Sequence, residues 1–271
     1  IADLTAPIAS MYDAILAREE DPDELVALHR DRGYFRYDIS DFEGALEDYD
    51  KALEGDPSAQ SYSDRAWVRL QLGDDEGVVS DIEAAAELDP EYGLAQQRQI
   101  ALALLGRGDE SVTLADEYGV FLEDASVQAQ QRAYALGQAG RIDEGRALLE
   151  EELEFTPSDA NLLNASCWYD GIWNRVTEET VDRCTRAIEG MNNSVAALES
   201  RALALFRLGR NDEALRDLDR VLTIDPEMQG SRYLRGVIRS HSGDADGARE
   251  DIGIVRWASP YTPRQYALWG L

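Results

Sequence analysis

Residues 200–226 read SRALALFRLGRNDEALRDLDRVLTIDP. Apolar side chains return every three to four positions on both sides of Leu208-Gly209-Arg210-Asn211. That periodicity predicts two amphipathic helices joined by a tight turn, and Asp225-Pro226 is a stop signal for the second. Small Ala202 and Ala214 fall where the two helices would approach each other most closely.

The same arrangement returns along almost the whole chain. Pro57, Pro90, Pro157, Pro226 and Pro260 are separated by 33, 67, 69 and 34 residues, which is one, two, two and one lengths of a common unit. Gly73, Gly106, Gly140, Gly209 and Gly243 form a second, independent ladder with the same step. Small residues, turn glycines and closing prolines in this order resemble the tetratricopeptide repeat. The resemblance implies an all-α fold, a right-handed superhelical solenoid of antiparallel helix pairs with about seven repeats and capping helices. One such pair cannot hide enough apolar surface to fold alone, so neighbouring repeats must share a core.

In this register residues 1–25 form an N-terminal capping helix or half-repeat. Ile8, Met11, Tyr12, Ile15 and Leu16 give it an apolar stripe, and Asp21-Pro22 ends a single helix over 1–22. Seven repeats follow at 26–58, 59–91, 92–125, 126–158, 160–193, 195–228 and 229–262. Residues 263–271 read as a C-terminal capping helix in which Tyr266 and Trp269 cover the last repeat. The third repeat is degenerate, with Ser111 in place of Ala and no closing Pro. The fifth carries Asn174 for the turn Gly, an inserted residue around Ile172-Trp173, and Asn192 for Pro.

Composition narrows the partners. The net charge is −28, and the 26 basic residues include a single lysine, Lys51. Phosphate backbones are bound by displacing counterions with Lys and Arg, so nucleic acid is a poor partner for this surface, as is a bare anionic membrane. Apolar runs all fall short of the ~18 residues of a membrane helix, so no direct membrane insertion is expected. A neutral or basic protein or peptide suits the charge better. The excess of Arg over Lys among so many acids fits a GC-rich or salt-adapted organism. The chain starts at Ile1, which leads us to expect a removed upstream segment, whether a signal peptide, a tag or another domain. An exported or periplasmic location is slightly favoured over the cytoplasm, and the oligomeric state is left open.

Catalytic chemistry finds little footing. The two histidines, His29 and His241, lie about six repeats apart, and there is no paired-His metalloprotease motif, nucleophile elbow or P-loop. Glu150-Glu151-Glu152 reads as a solvated helix face. Asp244-Ala245-Asp246-Gly247 has a faint likeness to a calcium loop but lacks its further ligands, and it falls in an inter-helix turn. Arg107-Gly108-Asp109, an adhesion-type tripeptide, falls in a turn too. Asn164-Ala165-Ser166 and Asn192-Asn193-Ser194 fit the N-glycosylation pattern, the first inside a predicted helix. Neither a cofactor nor a metal is expected.

Cys167 and Cys184 occupy facing positions of one helix pair. They read either as two small apolar residues in a reduced core or as a disulfide. The bond would close a loop of roughly 18 residues, contribute about 3 kcal/mol and indicate an oxidising compartment.

In the tetratricopeptide family the first helix of each pair lines the concave face. Carrying its inward positions over gives Arg30, Tyr34 and Tyr37; Ser63, Trp67 and Leu70; Gln96 and Ile100; Gln130 and Tyr134; Asn161, Asn164 and Trp168; Glu199, Leu203 and Phe206; Tyr233 and Val237. Aromatic rings beside amides suit an extended peptide, since rings give contact area at low entropic cost and amides meet backbone groups. The family's carboxylate clamp is not expected, because Tyr34 stands where that clamp has Asn. The expected function is a non-enzymatic scaffold that binds a protein or peptide segment in its groove. Two rival readings are an accessory domain of a larger enzyme whose catalytic domain lies upstream of Ile1, and a self-associating structural protein.

Overall fold

The computed structural model describes residues 5–192 and 194–271. Among them are sixteen α-helices, two short 3-10 segments and no strand. The chain divides into two compact units, one ending at Leu105 and the other starting at Gly106. The first holds α1 (Thr5–Leu16), α2 (Pro22–Asp38), α3 (Phe42–Gly55), α4 (Ala59–Leu72), α5 (Asp75–Leu88) and α6 (Gln96–Leu104). The second holds α7 (Gly108–Tyr118), α8 (Ala125–Gln138), α9 (Ile142–Phe155), α10 (Ala160–Ile172), α11 (Glu178–Gly190), α12 (Val195–Arg207), α13 (Asn211–Ile224), α14 (Gln229–His241), α15 (Ala245–Ala258) and α16 (Tyr261–Leu268). The division falls inside the degenerate third repeat, between its two helices.

Every pair turns on one left-handed residue. Gly73, Gly106, Gly140, Gly209 and Gly243 have φ between 70° and 88°, and Ser40 (62°) and Asn174 (55°) take the same conformation where Gly is missing. The amide after the turn closes a six-residue loop onto the first helix: Asp74 N–H donates to the Arg69 carbonyl, Arg210 to Leu205 and Asp244 to Arg239, each at 2.9 Å. These are Schellman closures, which satisfy carbonyls that a helix end would leave bare. The second helix starts two residues after the left-handed residue in every pair except one. From Asn174 to Glu178 the gap is four, so the insertion expected around Ile172-Trp173 lies after the turn instead. There Thr177 and Thr180 build a reciprocal cap that holds the start of α11.

Small residues sit where the sequence places them. Ala45, Ala66, Ala133, Ala202 and Ala214 are fully buried between paired helices. Helix α1 stops at Leu16, and Pro22 opens α2 with Asp21 as its N-cap, its side chain accepting from the Asp23 amide. Asp21-Pro22 therefore starts a helix rather than ending one. Pro at a first helical position loses no hydrogen bond, so the same dipeptide serves either end.

A second repeating device is polar. Arg65 on α4 grips Asp81 on α5 with Nε (3.0 Å) and Nη2 (2.6 Å), while its Nη1 donates to Asp50 on α3 at 2.7 Å. Arg235 on α14 holds Asp251 on α15 in the same way (2.8 and 2.7 Å) and reaches back to Asp219 on α13 at 2.9 Å. Arg32 grips Asp48 and reaches Asp13, and Arg201 grips Asp217 and reaches Thr185. Arginine on a first helix and Asp sixteen residues later on the second thus recur in four pairs. In the α10–α11 pair the roles are exchanged, and buried Asp170 receives Arg146, Arg183 and Thr180. Only a planar fork can hold a carboxylate with two donors and keep a third for the neighbouring repeat. This gives the near-absence of lysine a structural reason. Arg235→Lys is expected to lower stability by about 1–3 kcal/mol, measured by urea denaturation, while Arg220→Lys on the exposed flank of α13 leaves the midpoint unchanged. Equal midpoints for the two variants would remove the fork from the stability argument.

Candidate functional site

In the first unit the first helices α2, α4 and α6 form one layer tied by side chains. Gln71 donates to the Tyr37 hydroxyl at 3.0 Å, and Gln97 donates to Ser63 Oγ at 2.7 Å. Of the residues expected to line a groove, Ser63 is buried by that bond, as are Leu70 and Ile100 in the core. Arg30, Tyr37 and Trp67 are half-buried, Gln96 is exposed, and Tyr34 is 64 % exposed.

Acidic groups join these rings, and the sequence reading passed over them. Desolvation raises the Asp38 carboxyl above its ordinary value. Desolvation raises Asp64 as well, against a hydrogen bond from Gln60 (2.7 Å) and the charge of Arg30. The buried Tyr49 phenol is pushed up by desolvation first, then by Asp64, Asp38, Tyr34 and Tyr37. All four groups therefore act on the same phenol. Asp38 on α2 and Asp64 on α4 add negative charge to the layer that carries these tyrosines. Nothing in the apolar periodicity could have shown it, because Asp38 and Asp64 lie off the family's inward positions.

In the second unit the corresponding layer is α8, α10, α12 and α14. Tyr134 stacks on Tyr169, with ring centroids 5.7 Å apart, and the Tyr169 hydroxyl donates to the Gln130 carbonyl at 3.2 Å. Asn161 is exposed, whereas Asn164 is half-buried and its Oδ1 accepts no hydrogen bond. Leu203 and Val237 are buried, and Phe206 meets the His241 ring edge-on at 5.3 Å. Trp168, Glu199 and Tyr233 are covered by the chain itself. Trp269, just past α16, packs edge-on against Trp168 at 5.4 Å, and Tyr266 packs against Tyr233 at 5.1 Å. Glu199 accepts from Ser231 Oγ at 2.9 Å and from the Tyr266 hydroxyl at 3.4 Å. Desolvation raises its carboxyl despite both bonds. So the C-terminal segment lies across the first helices, with α16 against α14 and Trp269 reaching back to α10, rather than lying only over the last repeat.

Cys167 on α10 and Cys184 on α11 are joined by a disulfide, with Cα atoms 5.4 Å apart. The short motifs resolve into local structure. Asp244 Oδ1 accepts from the Gly247 amide at 3.0 Å, an N-cap. Arg107 pairs with Glu110, and Gly108 lies so close to the Gln138 main chain that a Cβ would come within 2.4 Å of its carbonyl. Asn193 of the second glycosylation pattern lies outside the described residues. Among the described residues no group of His, Cys, Asp and Glu is arranged to hold a metal ion, and no helix is long and apolar enough to cross a membrane.

A family model described as tetratricopeptide repeat matches residues 197–253, which span α12 to α15. No curated protein matches the chain in sequence. Among solved structures, a tetratricopeptide repeat protein from Parabacteroides merdae superposes with a TM-score of 0.55 at 14% identity, over 92% of this chain and 100% of that one. The Cut9–Hcn1 hetero-tetramer of the APC/C gives 0.49 at 12% identity, over 98% of this chain and 52% of that one. Paired helices turning on a left-handed residue and buried alanines at the crossings agree with the match: residues 197–253 are matched by the tetratricopeptide-repeat model, and the chain shares the fold of the tetratricopeptide repeat protein from Parabacteroides merdae.

Proposed function

We propose that the protein is a non-enzymatic scaffold whose first-helix face takes up a neutral or basic segment of a partner protein. The observation that carries this reading is that α2 and α4 bring Tyr34, Tyr37, Asp38 and Asp64 to one layer, where Tyr34 is 64 % exposed and both carboxyls are raised by desolvation. An incoming Lys or Arg would relieve the desolvated carboxylates and stack on the tyrosines. Arg30, Trp67 and Gln96 extend the same layer and offer flat contact and main-chain hydrogen bonding to the rest of a peptide.

A displayed library of random twelve-residue peptides, selected on the whole chain, tests this. Enriched peptides are expected to carry Lys or Arg near an aromatic residue. Tyr34→Ala with Asp64→Asn should weaken them by about tenfold to a hundredfold while far-ultraviolet circular dichroism stays native. Affinity should also fall as pH is lowered. The pKa values of Asp38 and Asp64 are raised, so both take up protons at higher pH than ordinary carboxylates and then lose their hold on a cation. Peptides that bind the double variant as well as the wild type would refute the assignment.

A further inference from the structure

We infer that the first-helix face of α10, α12 and α14 is a receptor for a short helix carrying two aromatic residues three positions apart, and that the segment Tyr261–Leu271 is its exchangeable internal occupant. This deepens the scaffold reading given above, in the other unit. The contacts are those of a ligand in a site. Tyr266 is buried against Tyr233 with its hydroxyl on Glu199, Trp269 lies edge-on to Trp168, and Arg207 donates from Nη2 to the Trp269 carbonyl. Arg207 also holds the Gly171 carbonyl at 3.1 Å.

Two features make the occupant replaceable. Helix α16 is only eight residues long, and Ala267, Leu268 and Gly270 on its other flank are exposed. An isolated helix of that length is unstable in water, so the segment must be ordered mainly by the face it lies on.

The test uses a fluorescein-labelled peptide of residues 259–271, SPYTPRQYALWGL, added in trans. Wild-type chain should bind it weakly, because the site is filled. The full-length Trp269→Ala variant should bind it at least about tenfold more tightly, since loosening the internal segment raises the fraction of open sites. Adding Trp168→Ala to that variant should abolish the gain. Native circular dichroism is required of each variant, and sedimentation is run in parallel. Equal affinity for wild type and a natively folded Trp269→Ala would overturn the inference. So would a wild-type dimer, because the segment would then be exchanged between copies. Tyr34→Ala with Asp64→Asn should leave this binding unchanged, so a failure of the scaffold reading in the first unit shows separately.

Discussion

Asp48→Ala should lower the stability of the first unit by about 3–5 kcal/mol, the cost of breaking a buried ion pair from one side. Asp48 is fully buried and gathers Arg32 through two bonds of 2.8 and 2.6 Å, Arg36 at 2.8 Å and His29 at 2.8 Å. Removing the carboxylate takes two bonds from the Arg32 guanidinium, itself buried, and leaves it only Asp13. Burial alone would raise the Asp48 carboxyl, but hydrogen bonds from Arg32 and His29 outweigh it and hold the group below its ordinary value. A depressed carboxyl contributes stability that is complete above its unfolded-state value and is lost as pH falls through the folded-state value. The gap between wild type and Asp48→Ala should therefore be widest near neutrality and narrow in acid. Urea titrations followed by circular dichroism at neutral and acidic pH give both numbers. An unchanged midpoint at neutral pH would mean that the arginines find water instead, and the clamp would not be a source of stability.

Ala214→Glu should be comparably damaging to the second unit. Ala214 and Ala202 are both fully buried, packed among Leu203, Leu205 and Leu218 in the core that joins α12 and α13. A carboxylate placed there has no partner and no water, and its added volume forces the helices apart, for a loss of about 3–5 kcal/mol. The expected outcome is a chain that is insoluble or melts many degrees lower. Arg216→Glu, two residues on and exposed, should behave as wild type. A soluble Ala214→Glu of native stability would show that α12 and α13 do not pack as described.

The helix pairs were legible because their signals are steric and local. A left-handed turn favours Gly, a close crossing demands Ala, and both recur with the repeat. Where chemistry allows substitutes, as at Ser40 and Asn174, the periodicity carries the reading across the gap. Asp21-Pro22 misled because Asp can cap and Pro can open the helix that follows. The arginine clamps had a signal in the recurring sixteen-residue step from Arg32 to Asp48, Arg65 to Asp81, Arg201 to Asp217 and Arg235 to Asp251. They escape a reading tuned to apolar stripes. The covering of Trp168 by Trp269 joins residues more than a hundred positions apart through a single ring contact, which no periodic pattern announces. That contact makes Trp168 a structural position.

The three-handed arginines bear on how such a chain could be lengthened or shortened. Arg65 belongs to α4 yet satisfies Asp50 on α3, and Arg235 on α14 does the same for Asp219 on α13. A cut placed between two helix pairs would sever one such bond, to an acid that water can reach, whereas a cut at a left-handed turn would sever both bonds of the fork to buried Asp81 or Asp251. The module that can be duplicated or excised with least loss is therefore the hairpin itself. Grafts spliced at the prolines should be tolerated better than grafts spliced at the left-handed turns.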